Sequence, residues 1–171
     1  KTTTKELRRA ALSGERRVHA TRANLNNRIG VPLTLLEAPD DAEVVVVEVG
    51  TSEPGEIAAL RQVAHPDVAV VVTVGPSHVE GLGGMEGVWK EKLSLLERLP
   101  AHAQVVVGDE PPELADRARE AAPGHPLTVA GLSDRADQGL RGRLLESDAD
   151  GRWRVGLPGG SVQGPVPWVQ G

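Results

Sequence analysis

Apolar positions along the chain alternate between two rhythms. Val44-Val45-Val46-Val47-Glu48-Val49, Val68 to Val74 and Gln104-Val105-Val106-Val107 are runs of β-branched residues, as expected of strands buried on both faces of a parallel sheet. Leu127-Thr128-Val129-Ala130 reads as a further strand, and Val18-His19-Ala20-Thr21 as a short extended piece. Helical spacing fills the intervals. Residues 2 to 13 carry Leu7, Ala10 and Ala11 on one side and stop at Gly14, Pro32 opens a helix carrying Leu33, Leu35 and Leu36, and Pro54-Gly55-Glu56 opens another through about Ala64. A Gly-rich loop at 81–84 precedes a helix from about Glu86 to Leu99, and Glu113 to Ala121 forms the last. Strands alternating with helices at this spacing predict right-handed crossovers and an α/β fold, a doubly wound, mostly parallel sheet flanked by helices.

From Leu140 the rhythm changes. Arg141 to Glu146, the turn Asp148-Ala149-Asp150-Gly151 and Arg152-Trp153-Arg154-Val155 predict a hairpin, part of a small antiparallel β section at about 138–168 attached to a core of residues 1–133. The Gly/Pro-rich stretch from Leu157 reads as an exit toward another domain.

Composition narrows the function. With 171 residues, the chain is long enough for one domain with a core. A net charge of −5 argues against a nucleic-acid surface, and the absence of Phe and Tyr argues against stacking platforms for bases. The absence of Cys excludes disulfides, thiolate nucleophiles and thiolate zinc sites and fits a reducing, cytoplasmic setting. No apolar run approaches the ~20 residues of a membrane helix, so no membrane partner is expected, nor any secretory signal. Opening on Lys rather than Met, the chain reads as a piece of something longer.

Candidate chemistry gathers where ligands of parallel sheets sit, beyond the carboxyl ends of the strands. Lys1-Thr2-Thr3 resembles the end of a phosphate-binding loop, in which Lys reaches phosphates and the hydroxyl meets Mg²⁺, but also reads as an ordinary solvated helix start. Glu48 interrupts an apolar strand, and a buried carboxylate requires a cation or a set of donors; a structural ion pair would serve equally. His78 lies in the loop after the second buried strand, either solvated or poised as a metal ligand or proton donor. Lys92 shares a helical face with Val88, Leu95 and Leu99, whereas Lys90 and Glu91 point elsewhere. Its stem either snorkels to the surface or holds a desolvated, reactive amine.

Taken in order, these pieces resemble the central ATPase domain of the Mur ligases. The resemblance rests on Lys1-Thr2-Thr3-Thr4-Lys5-Glu6, on Asn24-Leu25-Asn26-Asn27-Arg28-Ile29-Gly30-Val31-Pro32, on Glu48-Val49-Gly50 through Pro54-Gly55-Glu56-Ile57, and on Val74-Gly75-Pro76-Ser77-His78-Val79-Glu80-Gly81, over roughly residues 1 to 110. It is strongest to the members that add D-Ala-D-Ala to a UDP-muramoyl tripeptide. The resemblance implies a P-loop NTPase-like core and an ATP-dependent amide ligase of peptidoglycan precursor synthesis, working through an acyl phosphate. It implies Lys1, Thr2 and Thr3 as ATP-binding residues, and Thr2, Glu48, His78 and Lys92, the last as a CO2-derived carbamate, as ligands of Mg²⁺. Glu48, His78 and Lys92 would be catalytic, with Asn24, Asn26 and Asn27 on the substrate side. It further implies a monomer, inactive by itself, that lacks the family's N-terminal UDP-binding and C-terminal domains.

Some positions depart from the family pattern: Thr73 before Val-Gly-Pro, Ser52-Glu53, Arg22-Ala23, and Val107-Gly108-Asp109-Glu110 without a preceding Asn. Two other readings therefore stand beside the first. One is another Mur-type amino-acid ligase; the other is a non-catalytic nucleotide-binding or scaffold paralogue.

Overall fold

A computed structural model describes residues 1–147, 152–157 and 160–165. Helix α1 (Thr2–Leu12), strand β1 (Val18–Ala20), helix α2 (Gly30–Leu36) and strand β2 (Val44–Val46) form the first half. Helix α3 (Glu56–Ala64) leads to β3 (Val68–Val71), α4 (Met85–Leu93), β4 (Gln104–Gly108), α5 (Leu114–Ala121) and β5 (Leu127–Ala130). The α/β expectation holds, with parallel strands flanked by helices.

The single sheet resolves into two hydrogen-bonded parallel sheets, β1-β2 and β3-β4-β5. This corrects the expectation for Val44 to Val49. Only Val44–Val46 are in the ladder, and Val45 is exposed. Past Val46 a side chain takes over the pairing, since the Glu48 N–H donates to the Thr21 hydroxyl at 3.0 Å. A strand paired with β1 alone is also only half covered.

Burial concentrates around the second sheet. Ala69, Val71, Val105, Val107 and Val129 from its strands meet Val88, Trp89, Leu93 and Leu96 from α4 and the turns after it, and Leu114 and Ala118 from α5. Helix α1 forms as expected, and its apolar side does not face a core: Leu7 is 60% exposed and Ala10 and Ala11 are exposed. Its buried residue is Lys5.

Helix α4 ends at Leu93 rather than near Leu99. The Ser94 hydroxyl donates to the Glu91 carbonyl, and the chain tightens so that the Leu96 N–H bonds Leu93 O at 2.8 Å. The 3.6-residue period therefore breaks after Leu93, while Glu91, within the helix and off the Val88–Lys92 face, is buried.

Strands β6 (Arg143–Ser147), β7 (Arg152–Leu157) and β8 (Gly160–Pro165) form an antiparallel sheet in sequence order, with a bulge between Leu144 and Glu146. The expected hairpin is present and gains a third strand. Its tip, Asp148 to Gly151, lies outside the described residues, as does the chain after Pro165. A short 3-10 helix, Gln138–Leu140, and a bridge between Gly131 and Arg141 lead into this sheet from β5.

Candidate functional site

The carboxyl ends of β1 and β2 and the start of α1 converge on Glu48. This carboxylate is 6% exposed. Its Oε1 accepts from the Thr2 hydroxyl at 3.2 Å and from Asn26 Nδ2 at 2.9 Å. Its Oε2 is buried and has no hydrogen-bond partner among the described residues. A buried carboxylate oxygen without a donor is costly, and a cation would relieve that cost.

Asn26 reaches Glu48 because Gly50 makes room. The Gly50 N–H donates to Asn26 O at 2.7 Å, and a β-carbon at position 50 would stand 2.7 Å from Asn26 Oδ1. Asn27 does different work: its Oδ1 accepts from the Ile29 and Gly30 amides and so caps the entry to α2. From below, buried Lys5 fixes the same segment by donating to Thr21 O at 2.8 Å.

Above this knot a cavity of about 210 Å³ is lined by Lys1, Asn26, Asn27, Gly50, Thr51, Ser52, Glu56 and His78. His78 enters with φ of 50°, its carbonyl accepting the Leu82 N–H at 3.0 Å. Glu56, which also lines the cavity, folds back on its own helix start: its Oε2 accepts the Ser52 and Glu53 amides at 2.7 and 3.0 Å. These two amides, helped by Arg28, hold the Glu56 carboxyl below the usual carboxylate range despite its burial. Lys92 is half-buried outside this cavity. Burial, and secondarily the charge of Lys1, lowers its pKa below the usual lysine value.

The structure thus brings together Lys1, Thr2, Asn26, Asn27, Glu48 and His78, with Lys92 near enough to Lys1 to feel its charge. Thr3 is exposed on α1, and Asn24 is exposed and does not line the cavity. Among the described residues no three His, Asp or Glu side chains converge as a metal set, so a cation here would draw on Glu48 together with hydroxyl, imidazole or modified lysine ligands. Sequence reasoning passed over Thr51 and Glu56 as cavity walls, and Glu91 behind them. The run Gly50-Thr51 directly after the Glu48 strand was the available signal for the first.

The start of a helix, a carboxylate just past the end of a parallel strand and a histidine in the loop after a second strand thus meet in one α/β domain. Residues 1–167 match the family model for the Mur ligase middle domain, and the chain belongs to that family. It is 44% identical over 112 residues to the UDP-N-acetylmuramoyl-tripeptide--D-alanyl-D-alanine ligase of Bacillus subtilis, covering 65% of this chain and 24% of that one. Among solved structures it resembles MurF from Acinetobacter baumannii, with a TM-score of 0.80 and 28% identity over 97% of this chain and 36% of that one. It also resembles MurF ligase from Thermotoga maritima in complex with ADP, with a TM-score of 0.77 and 27% identity over 95% of this chain and 37% of that one. The chain therefore spans about a quarter to just over a third of the length of these proteins. No described helix is long and apolar enough to cross a membrane.

Proposed function

We propose that this chain is the nucleotide-binding part of an ATP-dependent ligase that joins D-Ala-D-Ala to a UDP-muramoyl tripeptide. The observation that carries this reading is Glu48, a buried carboxylate held on one oxygen by Thr2 and Asn26 and bare on the other, beside a polar cavity edged by Lys1 and His78. The likeness to MurF structures, one of them with ADP, supports the nucleotide.

In this reading the Lys1 ammonium binds the terminal phosphates of ATP from the edge of the cavity, and Thr2, at the start of α1, lies between those phosphates and Glu48. Glu48 Oε2, the Thr2 hydroxyl and His78 fit Mg²⁺, which when bound neutralises phosphate charge. The acceptor carboxylate enters from the side of Asn26 and Asn27. Its oxygen attacks the γ-phosphorus, the bond to ADP breaks, and an acyl phosphate results. The free amine of D-Ala-D-Ala then attacks the acyl carbon, loses a proton, and phosphate leaves as the amide forms. Lys1 accompanies the charge that moves onto the transferring phosphoryl group. The cavity walls hold the reactants in line, which supplies much of the rate.

Lys92 fits this scheme as a carbamate. A half-buried amine repelled by Lys1 is held more readily neutral, the form that reacts with CO2. The modification would replace an amine within reach of the Lys1 charge by an anion that this charge attracts.

The test is phosphate release by the full-length parent protein supplied with ATP, UDP-muramoyl tripeptide and D-Ala-D-Ala. Release that requires all three is expected. Release without D-Ala-D-Ala, or none, overturns the reading; ADP binding without turnover would favour the non-catalytic paralogue.

A further inference from the structure

Helix α3 begins without a side-chain cap of its own. Its N-cap is Gly55, in the left-handed region at φ 84°, and no side chain of its own first turn bonds its leading amides in that role. The anion comes from another helix. Glu91 of α4, 5% exposed, accepts the Gly55 N–H at 2.6 Å through Oε2 and the Ile57 N–H at 2.9 Å through Oε1. Oε1 also accepts the Thr51 hydroxyl at 3.2 Å. A carboxylate at this place satisfies two orphan helix amides and sits at the positive end of the helix dipole.

None of these contacts is part of the chemistry assigned above, yet each bears on it. Thr51 and Ser52 line the same cavity as Lys1. Ser52 O in turn lies against the His78 loop, 3.2 Å from where a β-carbon on Gly81 would stand. Glu91 also directly precedes Lys92 on the same helical turn.

We propose that Glu91 is a positioning residue: by clamping Thr51, Gly55 and Ile57 onto α4, it fixes the cavity wall at 50–52 relative to the turn that bears Lys92. The clamp rests on the ligase reading for its consequence but not for its existence. Without it, the wall loses its registration with Lys92, and the acceptor carboxylate is held out of line. The nucleotide edge, Lys1 and Thr2, lies at the start of α1, and Thr2 keeps its own bond to Glu48.

The experiment uses the full-length parent and Glu91→Gln, which keeps the size but turns an N–H donor toward a backbone N–H. We expect kcat/KM for the muramoyl tripeptide to fall at least tenfold, while ADP affinity stays within twofold of wild type. Glu91→Asp, which keeps the charge, should recover part of the loss. Amide exchange at Gly55 and Ile57 should speed up at least tenfold in Glu91→Gln. A folded Glu91→Gln with kcat/KM within twofold of wild type overturns the positioning role, and unchanged exchange at both amides overturns the clamp. A wild-type parent without D-Ala-D-Ala-dependent turnover sinks the ligase reading instead, and the exchange measurement still decides the clamp. Should Glu91→Gln fail to fold, exchange in the wild type decides: protection of the Gly55 amide at least tenfold beyond its unstructured rate supports the clamp, and an unprotected amide overturns it.

Discussion

The two parallel sheets bury different chemistry. Around β3-β4-β5 the buried cluster is apolar, from Ala69 through Val129, and the buried polar groups, Arg61, Glu91 and Ser94, come from the helices and turns that flank it rather than from its strands. Around β1-β2, the buried residues include Lys5, Thr21, Thr34 and Glu48, each held by named donors or acceptors. Apolar packing is insensitive to direction, whereas a buried polar group is tolerated only in the geometry that satisfies it. The second sheet therefore supplies stability and the first supplies placement. Loops such as Ser77–His78 and residues 50–57 bridge the two roles: the first leaves the aliphatic half and reaches the polar cavity, and the second leaves the polar half and leads into α3.

Substitutions in each region should separate these roles, the largest effect first. Lys92→Ala in the parent should lower D-Ala-D-Ala-dependent phosphate release by about a hundredfold or more, the scale of losing one charge-stabilising group, with partial rescue by short carboxylates. Unfolding should move little. Near wild-type turnover would remove Lys92 from the site.

Leu96→Ala should do the reverse. Leu96 is fully buried in the aliphatic cluster, and truncation should cost about 3 kcal/mol of unfolding free energy through lost contact and cavity formation. ADP affinity of the folded fraction should be unchanged; if it falls in step with stability, the two halves are not separable in this way.

The smallest effect concerns Asp109, at the end of β4. Burial alone would raise its pKa, but the amides of Ser133 and Leu132, with the Ser133 hydroxyl, outweigh it and hold the carboxyl below the usual aspartate value. A group with a depressed native pKa stabilises the fold above its unfolded value, and that contribution is lost as pH falls through the native one. Asp109→Asn should therefore be less stable than wild type at neutral pH, and the gap should close as pH drops below the ordinary carboxylate range. A gap that is constant with pH, measured by urea unfolding, would assign the effect to shape rather than charge.

Much of this division was legible in the sequence. The valine runs marked the strands, and Glu48 stood out because a carboxylate in an apolar run needs an explanation. Lys1, Asn26, Asn27 and His78 came from motif resemblance and do meet at one cavity. Glu91 lies off the Val88–Lys92 face, and its burial is not legible there because a carboxylate beside an apolar stripe reads as solvated. Its role is also a relation between two helices, and spacing along one helix cannot display a cap donated from another. Helix α1 is a related case: Leu7, Ala10 and Ala11 share a side, but the contact that ties this helix down is made by Lys5.

That lysine gives the chain a built-in reference for amine chemistry. There are four lysines, Lys1, Lys5, Lys90 and Lys92. Lys1 and Lys90 are open to an acylating reagent, Lys92 is half-shielded, and Lys5, with its ammonium turned onto the Thr21 carbonyl, is spared until the fold opens. Covalent labelling therefore reads three states of one chain: Lys90 reports the reagent dose, Lys5 reports unfolding, and Lys1 reports whatever covers the mouth of the cavity.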